Sequence, residues 1–265
     1  MIKVSEIEVK SLISKSKIPS ADFAINPYIG CPHKCIYCYA EFMKKFTTHQ
    51  EKWGNFLDVK ISDEKIDIKK FENYNIFLSS VTDSYNPFEK RYGVTKKVLE
   101  QFIASDAKIT ILTKSDLVIR DIEIFKKIKN ISVGFSINTI NDNIRKQIEP
   151  FASSISKRLE ALKILHDEGI DTWIFISPIF PKITDFRKII NTCKSFSNSF
   201  SFENLNLRST YRVRVLNYIR DCHKDLFPLY QDIYTYNNKD YWSKTAEEIR
   251  DYCLKNKIDF SIHFH

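Results

Sequence analysis

The hydrophobic positions of this chain fall into short apolar runs that are separated by longer amphipathic stretches. The short runs are apolar through most of their length, as expected for strands buried on both faces of a sheet. They predict six strands, at Phe23–Pro27, Ile76–Ser80, Lys108–Thr113, Ser132–Asn138, Asp171–Ser177 and Phe200–Leu205.

The stretches between these runs have the spacing of helices. Leu159, Leu162 and Leu165 recur on one helical face, and Gly169 follows them as a C-cap. The same pattern predicts helices at Phe42–Phe46, Lys65–Phe71, Val94–Ala104, Leu117–Ile128, Ser156–Glu168 and Phe186–Phe196.

Strands that alternate with helices predict parallel strands joined by right-handed crossovers. Six strand–helix units predict an α/β fold of the partial (βα)6, TIM-like barrel type, because a closed eight-unit barrel needs more chain than is left. The chemistry of such folds lies at the carboxyl ends of the strands, and we expect functional side chains there.

Two regions lie outside the six units. Residues 47–64 are predicted to be an excursion, folded back on the barrel by Trp53, Phe56 and Leu57. Residues 207–257 are predicted to be mostly helical, and the alternation in Ile258–Phe264 predicts an edge strand. We therefore expect a core domain over residues 1–206 and a helical C-terminal extension over residues 207–265 that packs on the barrel.

The chain of 265 residues has a formal net charge of +8, which is compatible with nucleic-acid binding. Basic residues interleaved with tyrosines at Arg208–Arg214, Tyr218 and Arg220 are candidates for phosphate contacts and base stacking. The alternative is a solvated face. Lysine, isoleucine, asparagine and phenylalanine are abundant and glycine is scarce, which an AT-rich coding sequence would also produce.

The N-terminal residues MIKVSEIE are charged from the start and do not resemble a signal peptide. The longest apolar run, Trp173–Phe180, is too short to span a bilayer. Six cysteines without a secretory signal favour a reducing compartment. We therefore expect a cytoplasmic protein with no membrane partner.

Three cysteines, Cys31, Cys35 and Cys38, lie close together with the spacing C-x3-C-x2-C. Three thiolates can hold three irons of a [4Fe-4S] cube, whereas an electron-transfer cluster normally has four cysteine ligands. The remaining iron is then open to a small molecule, so the spacing indicates an active site.

The alternative for this loop is a Cys3His zinc site that uses His33 or His49. Zinc sites usually contain two separated ligand pairs, and no second pair is found here. The other cysteines, Cys193, Cys222 and Cys253, stand alone in segments that suggest helices.

The cysteine loop closely resembles that of the radical SAM superfamily, including the aromatic Tyr37 before the last cysteine. The flanking residues resemble its spore photoproduct lyase-like branch, and within that branch the chain looks most like the radical SAM mobile pair protein B family. The resemblance covers roughly residues 20–210 and is carried by Asn26-Pro27-Tyr28-x-Gly30-Cys31, Tyr39-Ala40, Thr82-Asp83-Ser84-Tyr85-x-Pro87-x-Glu89 and Glu149-Pro150…Arg158-Leu159.

This resemblance implies that Cys31, Cys35 and Cys38 bind the cluster and that S-adenosylmethionine (SAM) chelates the open iron. Tyr37 then lies along the adenine. The second predicted strand ends in hydroxyls and a carboxylate where many relatives have a glycine-rich stretch, and a turn-capping role is the alternative for Thr82 and Asp83. The candidate SAM contacts are Tyr37, Ser80, Thr82, Asp83, Lys114, Ser136, Asn138, Arg158 and Ser177.

The reaction implied by the resemblance is reductive cleavage of SAM to a 5′-deoxyadenosyl radical, which abstracts hydrogen from a substrate. Reduced ferredoxin or flavodoxin is the expected electron donor, because no second cluster motif is present. Nucleic acid or a nucleotide is the candidate substrate, and a companion radical SAM protein the candidate partner.

The chain also departs from spore photoproduct lyase, because it has Ser79-Ser80-Val81 where that enzyme carries a hydrogen-donating cysteine. This departure argues against the same repair reaction. Two alternatives stay open at this point: a zinc- or cluster-binding nucleic-acid adaptor without radical chemistry, and an inactive subunit that only supports its partner.

Overall fold

The computed structural model describes residues 2–63 and 65–265. Within these ranges the strands, numbered in chain order, are β1 Lys3–Glu8, β2 Ile13–Lys15, β3 Phe23–Ile25, β4 Tyr28–Ile29, β5 Phe56–Ile61, β6 Asn75–Leu78, β7 Lys108–Thr113, β8 Ile131–Ser136, β9 Asp171–Ile179, β10 Ser199–Asn204 and β11 Phe260–Ile262.

The α-helices of the same ranges are α1 Glu89–Tyr92, α2 Val94–Gln101, α3 Ile122–Phe125, α4 Asp142–Ile148, α5 Ile155–Asp167, α6 Phe186–Cys193, α7 Ser209–Cys222, α8 Phe227–Tyr234 and α9 Asp240–Lys255. Short 3-10 helices occupy Tyr39–Phe46, Ile68–Phe71, Asp116–Asp121 and Lys224–Leu226.

The main sheet has the order β11-β10-β9-β8-β7-β6-β3-β2. Neighbouring strands from β3 to β11 are parallel, and β2 is antiparallel to β3. All six predicted core strands are present in this sheet, in the predicted parallel arrangement. The predicted edge strand is also confirmed, because β11 pairs with β10. The fold is therefore the open parallel α/β barrel that the alternating pattern predicts.

A second sheet, of order β1-β5-β4, was not predicted from the sequence. Phe56 and Leu57 of the predicted excursion are fully buried, as expected, but they belong to strand β5. This strand pairs in parallel with β1 and antiparallel with β4. Part of the excursion is therefore a regular strand, and its partners are distant in sequence.

Three predicted helices were wrong in type or extent. Phe42–Phe46 lies within the 3-10 helix Tyr39–Phe46, and Lys65–Phe71 contains only the 3-10 turn Ile68–Phe71. Leu117–Ile128 is divided between the 3-10 helix Asp116–Asp121 and the short helix α3. Such short segments gain too few hydrogen bonds to offset helix nucleation, so tertiary contacts decide their geometry.

The predicted helical character of residues 207–257 is confirmed by α7, α8 and α9. The division into domains at residue 206 stays a prediction. A helix that the sequence analysis missed, α4, precedes α5. Its N-cap is Asn141, whose side chain accepts a hydrogen bond from the Asn143 amide. Among the described helices none has both the length and the apolar composition that crossing a membrane requires.

The sheet packs tightly at one glycine. Gly134 on β8 lies opposite Trp173 on β9, and an added Cβ at Gly134 would lie 2.2 Å from the indole ring. The indole therefore covers the strand backbone where a side chain would otherwise stand.

Substitution of Gly134 by Ala is expected to lower the free energy of unfolding by about 1–3 kcal/mol, because the methyl group overpacks the indole. Denaturant unfolding measures this loss. In a Trp173→Val background the added cost of Gly134→Ala should fall. An equal cost in both backgrounds would show that the indole is not the cause.

Candidate active site

The three clustered cysteines lie on the loop between β4 and the 3-10 helix Tyr39–Phe46. Their thiols are free and half-buried. The loop closes on itself through the Cys38 amide, which donates to the Cys35 carbonyl at 3.2 Å. The Ile36 amide donates to the Ile148 carbonyl at 2.9 Å, at the end of α4. This loop is therefore fixed by backbone hydrogen bonds that need no bound group.

The loop begins at a position that requires glycine. Gly30 has a φ of +92°, and an added Cβ would lie 2.4 Å from the Phe56 carbonyl oxygen on β5. A side chain there would be strained in its backbone and would also push the loop away from β5.

Helix α7 also holds the cysteine loop, through side chains that bind Ile36 and Glu41. The Arg214 guanidinium donates to the Ile36 carbonyl at 2.8 Å and pairs with Glu41 at 2.9 Å. Thr210 also donates to Glu41. The helical extension therefore contacts the cysteine loop directly.

Burial dominates the electrostatics of the three thiols. Burial raises the pKa of all three thiols, and that of Cys35 to about 12, although the nearby Lys114 opposes the shift at Cys35. A nucleophilic cysteine needs the opposite, a lowered pKa. A metal ion displaces the thiol protons when it binds, so raised pKa values are compatible with a ligand role.

Tyr37 of the loop is joined to a buried ion pair. Its hydroxyl donates to the Glu149 carboxylate, which also accepts from the Arg158 guanidinium at 2.5 Å. Neither member of this ion pair is exposed to solvent. Arg158 further donates to the carbonyl oxygens of Ser153 and Ser136, both at 2.9 Å. The guanidinium thus ties the residue 149 segment and the end of β8 to helix α5.

This ion pair sets the charge state of the site. Burial favours the neutral form of Glu149, but the positive charges of Arg158 and Lys114 outweigh it and hold its pKa below the usual value. Burial and the neighbouring Glu149 charge together raise the pKa of Tyr37 well above its usual value. Tyr37 is therefore a neutral hydrogen-bond donor that keeps its ring in place.

Asn138 has the clearest unsatisfied group of the site. Its Nδ2 donates to Glu149 at 3.2 Å and to the Tyr37 hydroxyl at 3.3 Å. A carboxylate only accepts, so this contact fixes the orientation of the amide. Its Oδ1 is buried and has no protein partner. A buried acceptor without a donor is unfavourable, and it indicates a place for a donor on a bound molecule.

Lys114 follows β7 and lies over the Tyr37 ring, with its Nζ 5.9 Å from the ring centroid. Burial lowers its pKa, but the charges of Cys35, Glu149 and Asp83 outweigh burial and raise it. The ammonium is therefore charged and lies among the cysteine loop, Tyr37 and the buried ion pair.

Asp83 already has three protein donors. Its carboxylate accepts from the Thr113 hydroxyl at 2.7 Å and from the amides of Tyr85 and Lys114, both at 2.9 Å. The His33 ring lies 3.4 Å away. This arrangement matches the turn-capping alternative from the sequence, and a contact between Asp83 and SAM stays a prediction.

The remaining candidate contacts have protein partners of their own. Ser80 accepts from Asn26 at 2.8 Å, and Thr82 donates to the Gly30 carbonyl at 2.7 Å. Ser136 donates to the Ser177 carbonyl at 3.1 Å, and the Ser177 hydroxyl donates to Glu203 at 2.6 Å. Ser80 and Thr82 follow the end of β6, and Ser136 and Ser177 lie in the last residues of β8 and β9. The roles of all four in SAM binding stay predictions.

The two histidines of the zinc alternative are engaged by carboxylates. His33 lies against Asp83, and His49 is bracketed by Glu51 at 3.1 Å and Asp58 at 2.7 Å. Among the described His, Cys, Asp and Glu side chains, no three converge closely enough to bind a single metal ion. Both histidines therefore already have carboxylate partners, and the zinc alternative stays open to experiment.

Sequence reasoning missed several residues that shape the site, namely Asn26, Glu203, Arg214 and the hydrogen-bonding role of Trp53. Asn26 carried the best signal, since it stands in the quoted Asn-Pro-Tyr motif. In the structure it joins β3 to the loop after β6, because it also accepts from the Val81 amide at 3.0 Å. Glu203 carried no signal, and Arg214 was a candidate only for phosphate contacts, because only the fold brings these two residues near the loop.

The fold and the cysteine loop together define a class: an open parallel α/β barrel with a three-cysteine loop after its first strand. The radical SAM superfamily model matches residues 25–193. An uncharacterized protein of Methanocaldococcus jannaschii is 44% identical over 209 residues, covering 79% of this chain and 80% of that protein. The chain therefore belongs to the radical SAM superfamily.

Spore photoproduct lyase of Bacillus subtilis is 26% identical over 64% of this chain and 49% of its own length. A solved spore photoproduct lyase, complexed with dinucleoside spore photoproduct, has a TM-score of 0.61 at 18% identity and covers 81% of this chain. Streptococcus suis SuiB bound to S-adenosylmethionine has a TM-score of 0.58 at 14% identity and covers 91% of this chain.

These solved structures share the fold. The chain spans 65% of that spore photoproduct lyase and 49% of SuiB. Membership of the radical SAM superfamily, predicted from the cysteine loop, is confirmed. The finer resemblance to mobile pair protein B stays a prediction.

Substitution of Arg158 by Gln is expected to lower the free energy of unfolding by about 3–5 kcal/mol, because it leaves the Glu149 carboxylate buried without a counter-charge. Urea unfolding at neutral pH measures the change. The matched control is Arg187→Gln. Arg187 pairs with Glu248 at 2.9 Å, but both side chains are about half exposed, so its loss should cost less than about 1 kcal/mol. Similar losses in both variants would contradict a special role for the buried pair.

Proposed function

We propose that this protein is a radical SAM enzyme that binds a 4Fe-4S cluster through Cys31, Cys35 and Cys38. It uses the cluster to cleave SAM reductively and abstracts hydrogen from a substrate. The observation that carries the proposal is a free three-cysteine loop whose Tyr37 adjoins a buried, unpartnered acceptor, Asn138 Oδ1.

The residues present fit these two groups. Three thiols on one short loop suit three irons of a cube, since each thiolate binds a different iron and the sulfurs need not converge on one ion. The positive Lys114 beside Cys35 favours thiolates. Asn138 Oδ1 accepts hydrogen bonds and therefore suits an ammonium or a ribose hydroxyl, not a carboxylate.

The cluster, when bound, supplies the electron that breaks a carbon–sulfur bond of SAM. The chain's own residues orient SAM. Tyr37, held by Glu149, offers its ring to the adenine. Lys114 offers a positive charge to the carboxylate, and Asn138 accepts from a donor. Arg158 acts from behind by holding Glu149, because its guanidinium is already used by three protein acceptors. The remaining candidates for SAM contacts are Ser80, Thr82, Asp83, Ser136 and Ser177.

The substrate proposal is nucleic acid or a nucleotide, which is supported by the solved relative complexed with a dinucleoside. The basic stretch on α7 adds little support. Arg212 donates to the Tyr234 carbonyl, Arg214 holds the cysteine loop, and Arg220 pairs with Asp221. Because these guanidinium groups already have partners within the chain, they weaken the case for phosphate contacts on that stretch. The proposed partner is a companion radical SAM protein, and the proposed electron donor is reduced ferredoxin or flavodoxin.

Anaerobic reconstitution with iron and sulfide tests the cluster. The native chain should bind about four irons and release 5′-deoxyadenosine from SAM on reduction. Cys35→Ala should lose both properties. Cys222→Ala is the matched control, because Cys222 is an exposed cysteine outside the loop, and it should retain them. One zinc per chain without SAM cleavage would instead support the nucleic-acid adaptor.

If Cys35→Ala leaves the activity of a purified pair with its companion intact, the chain is an inactive supporting subunit and the enzyme proposal fails. The pair is assayed for 5′-deoxyadenosine under the same anaerobic conditions.

Replacement of Asn138 by Ala is expected to weaken SAM binding about tenfold, because it removes one hydrogen bond to a polar or charged group. Equilibrium dialysis with the reconstituted protein measures the change. Asn143→Ala is the control, since Asn143 is an exposed residue of α4. Unchanged affinity in Asn138→Ala would remove this residue from the SAM site.

A further inference from the structure

We propose that Trp53 is a positioning residue that raises the reduction potential of the cluster by donating a hydrogen bond to the Cys38 sulfur. The inference rests on the proposed function, because it requires a cluster on that cysteine. Trp53 lies outside the cysteine loop, fifteen residues after Cys38 along the chain.

The contact is direct. The indole Nε1 of Trp53 lies 3.3 Å from the Sγ of Cys38 with donor geometry. Indole N–H is a donor only, so the direction of the bond is fixed. Among the side chains that the structure describes, no other donates to the sulfur of a loop cysteine. Cys38 therefore differs from Cys31 and Cys35.

The indole is held in place by the second sheet. Its ring packs edge-on against Phe56 at 5.7 Å between centroids, and Phe56 is fully buried on β5. Phe56 is itself held by the His49 ring, which stacks on it with 4.0 Å between the ring centroids. The donor is thus positioned by β5 and its sheet, which lie outside the main parallel sheet.

The turn that carries Trp53 is also fixed against the cysteine loop. Gly54 has a φ of +88°, and an added Cβ would lie 2.6 Å from the Lys34 side chain and 3.5 Å from the Cys31 carbonyl oxygen. The Lys3 amide of β1 donates to the Asn55 carbonyl at 2.9 Å. The turn therefore lies close against the cysteine loop at Gly54, and the Asn55 carbonyl ties it to β1.

The direction of the effect follows from charge. Reduction adds one negative charge to a cluster and its sulfurs, and a donor to sulfur stabilises that charge. Trp53 therefore favours the reduced form, which is the form that passes an electron to SAM in the proposed reaction.

The test is a redox titration of the anaerobically reconstituted full-length protein, followed by electron paramagnetic resonance. Trp53→Phe keeps an aromatic ring but removes the donor. The ratio of reduced to oxidised cluster at a fixed potential should fall about tenfold, which is a shift of about 59 mV to more negative potential for one electron. Iron content is measured in parallel.

Trp242→Phe is the matched control, because Trp242 lies on α9 and packs against Phe264. The cluster of this variant should have the same reduction potential as that of the native chain. In case Trp53→Phe loses iron, the native sequence is also produced with 5-fluorotryptophan. Its more acidic N–H strengthens the bond and should move the potential to more positive values.

An unchanged potential in Trp53→Phe with full iron content, or in the fluorinated protein, would overturn the proposal and leave Trp53 as a packing residue. Failure of the native chain to acquire a cluster would refute the proposed function instead, since no potential is then measured. The two failures are therefore distinguishable.

Discussion

The buried ion pair between Arg158 and Glu149 is the interaction on which the site depends. A charge without solvent must find its partner within the protein, so this pair can exist only if helix α5, the segment after α4 and the end of β8 meet in one arrangement. Glu149 then has a second oxygen to receive the Tyr37 hydroxyl. The position of the cysteine loop is thereby coupled to the correct closure of the parallel sheet.

Three further contacts hold the cysteine loop in place, and they come from α4, β5 and α7. The Ile148 carbonyl receives the Ile36 amide, Phe56 leaves room only for a glycine at residue 30, and Arg214 binds the Ile36 carbonyl. The second sheet and the C-terminal helices therefore both help to fix the position of the cysteine loop.

The polar groups around the loop are largely satisfied by one another, as the three donors to Asp83 illustrate. Such a network is rigid, because each group that moves leaves a buried partner unsatisfied. The unpartnered oxygen of Asn138 is therefore informative, since it lies within an otherwise complete network. A site that is already arranged before its ligand arrives loses little conformational entropy on binding.

The sequence by itself determined the class of fold and the chemical centre. Strands covered on both faces are apolar through most of their length, so β3 and β6 to β10 were readable from the sequence. Three cysteines in one loop are likewise a local pattern. Short-range signals were insufficient elsewhere. Strand β5 pairs with Ile29 and Tyr28 of β4, which are 29 and 31 residues away, and with β1, which is farther still. Segments near residues 65–71 and 117–128 are too short for propensity to decide.

Only the tertiary structure decided how the candidate residues divide the work. A contact between Arg158 and SAM stays a prediction, and each of the three guanidinium nitrogens of Arg158 already donates to a protein acceptor. Asp83 holds a turn, whereas Asn138 has the free acceptor. Trp53 was expected only to fold the excursion back, yet its N–H meets a cysteine sulfur. These roles depend on which donors and acceptors already have partners, and partners distant in sequence become known only when the chain is folded.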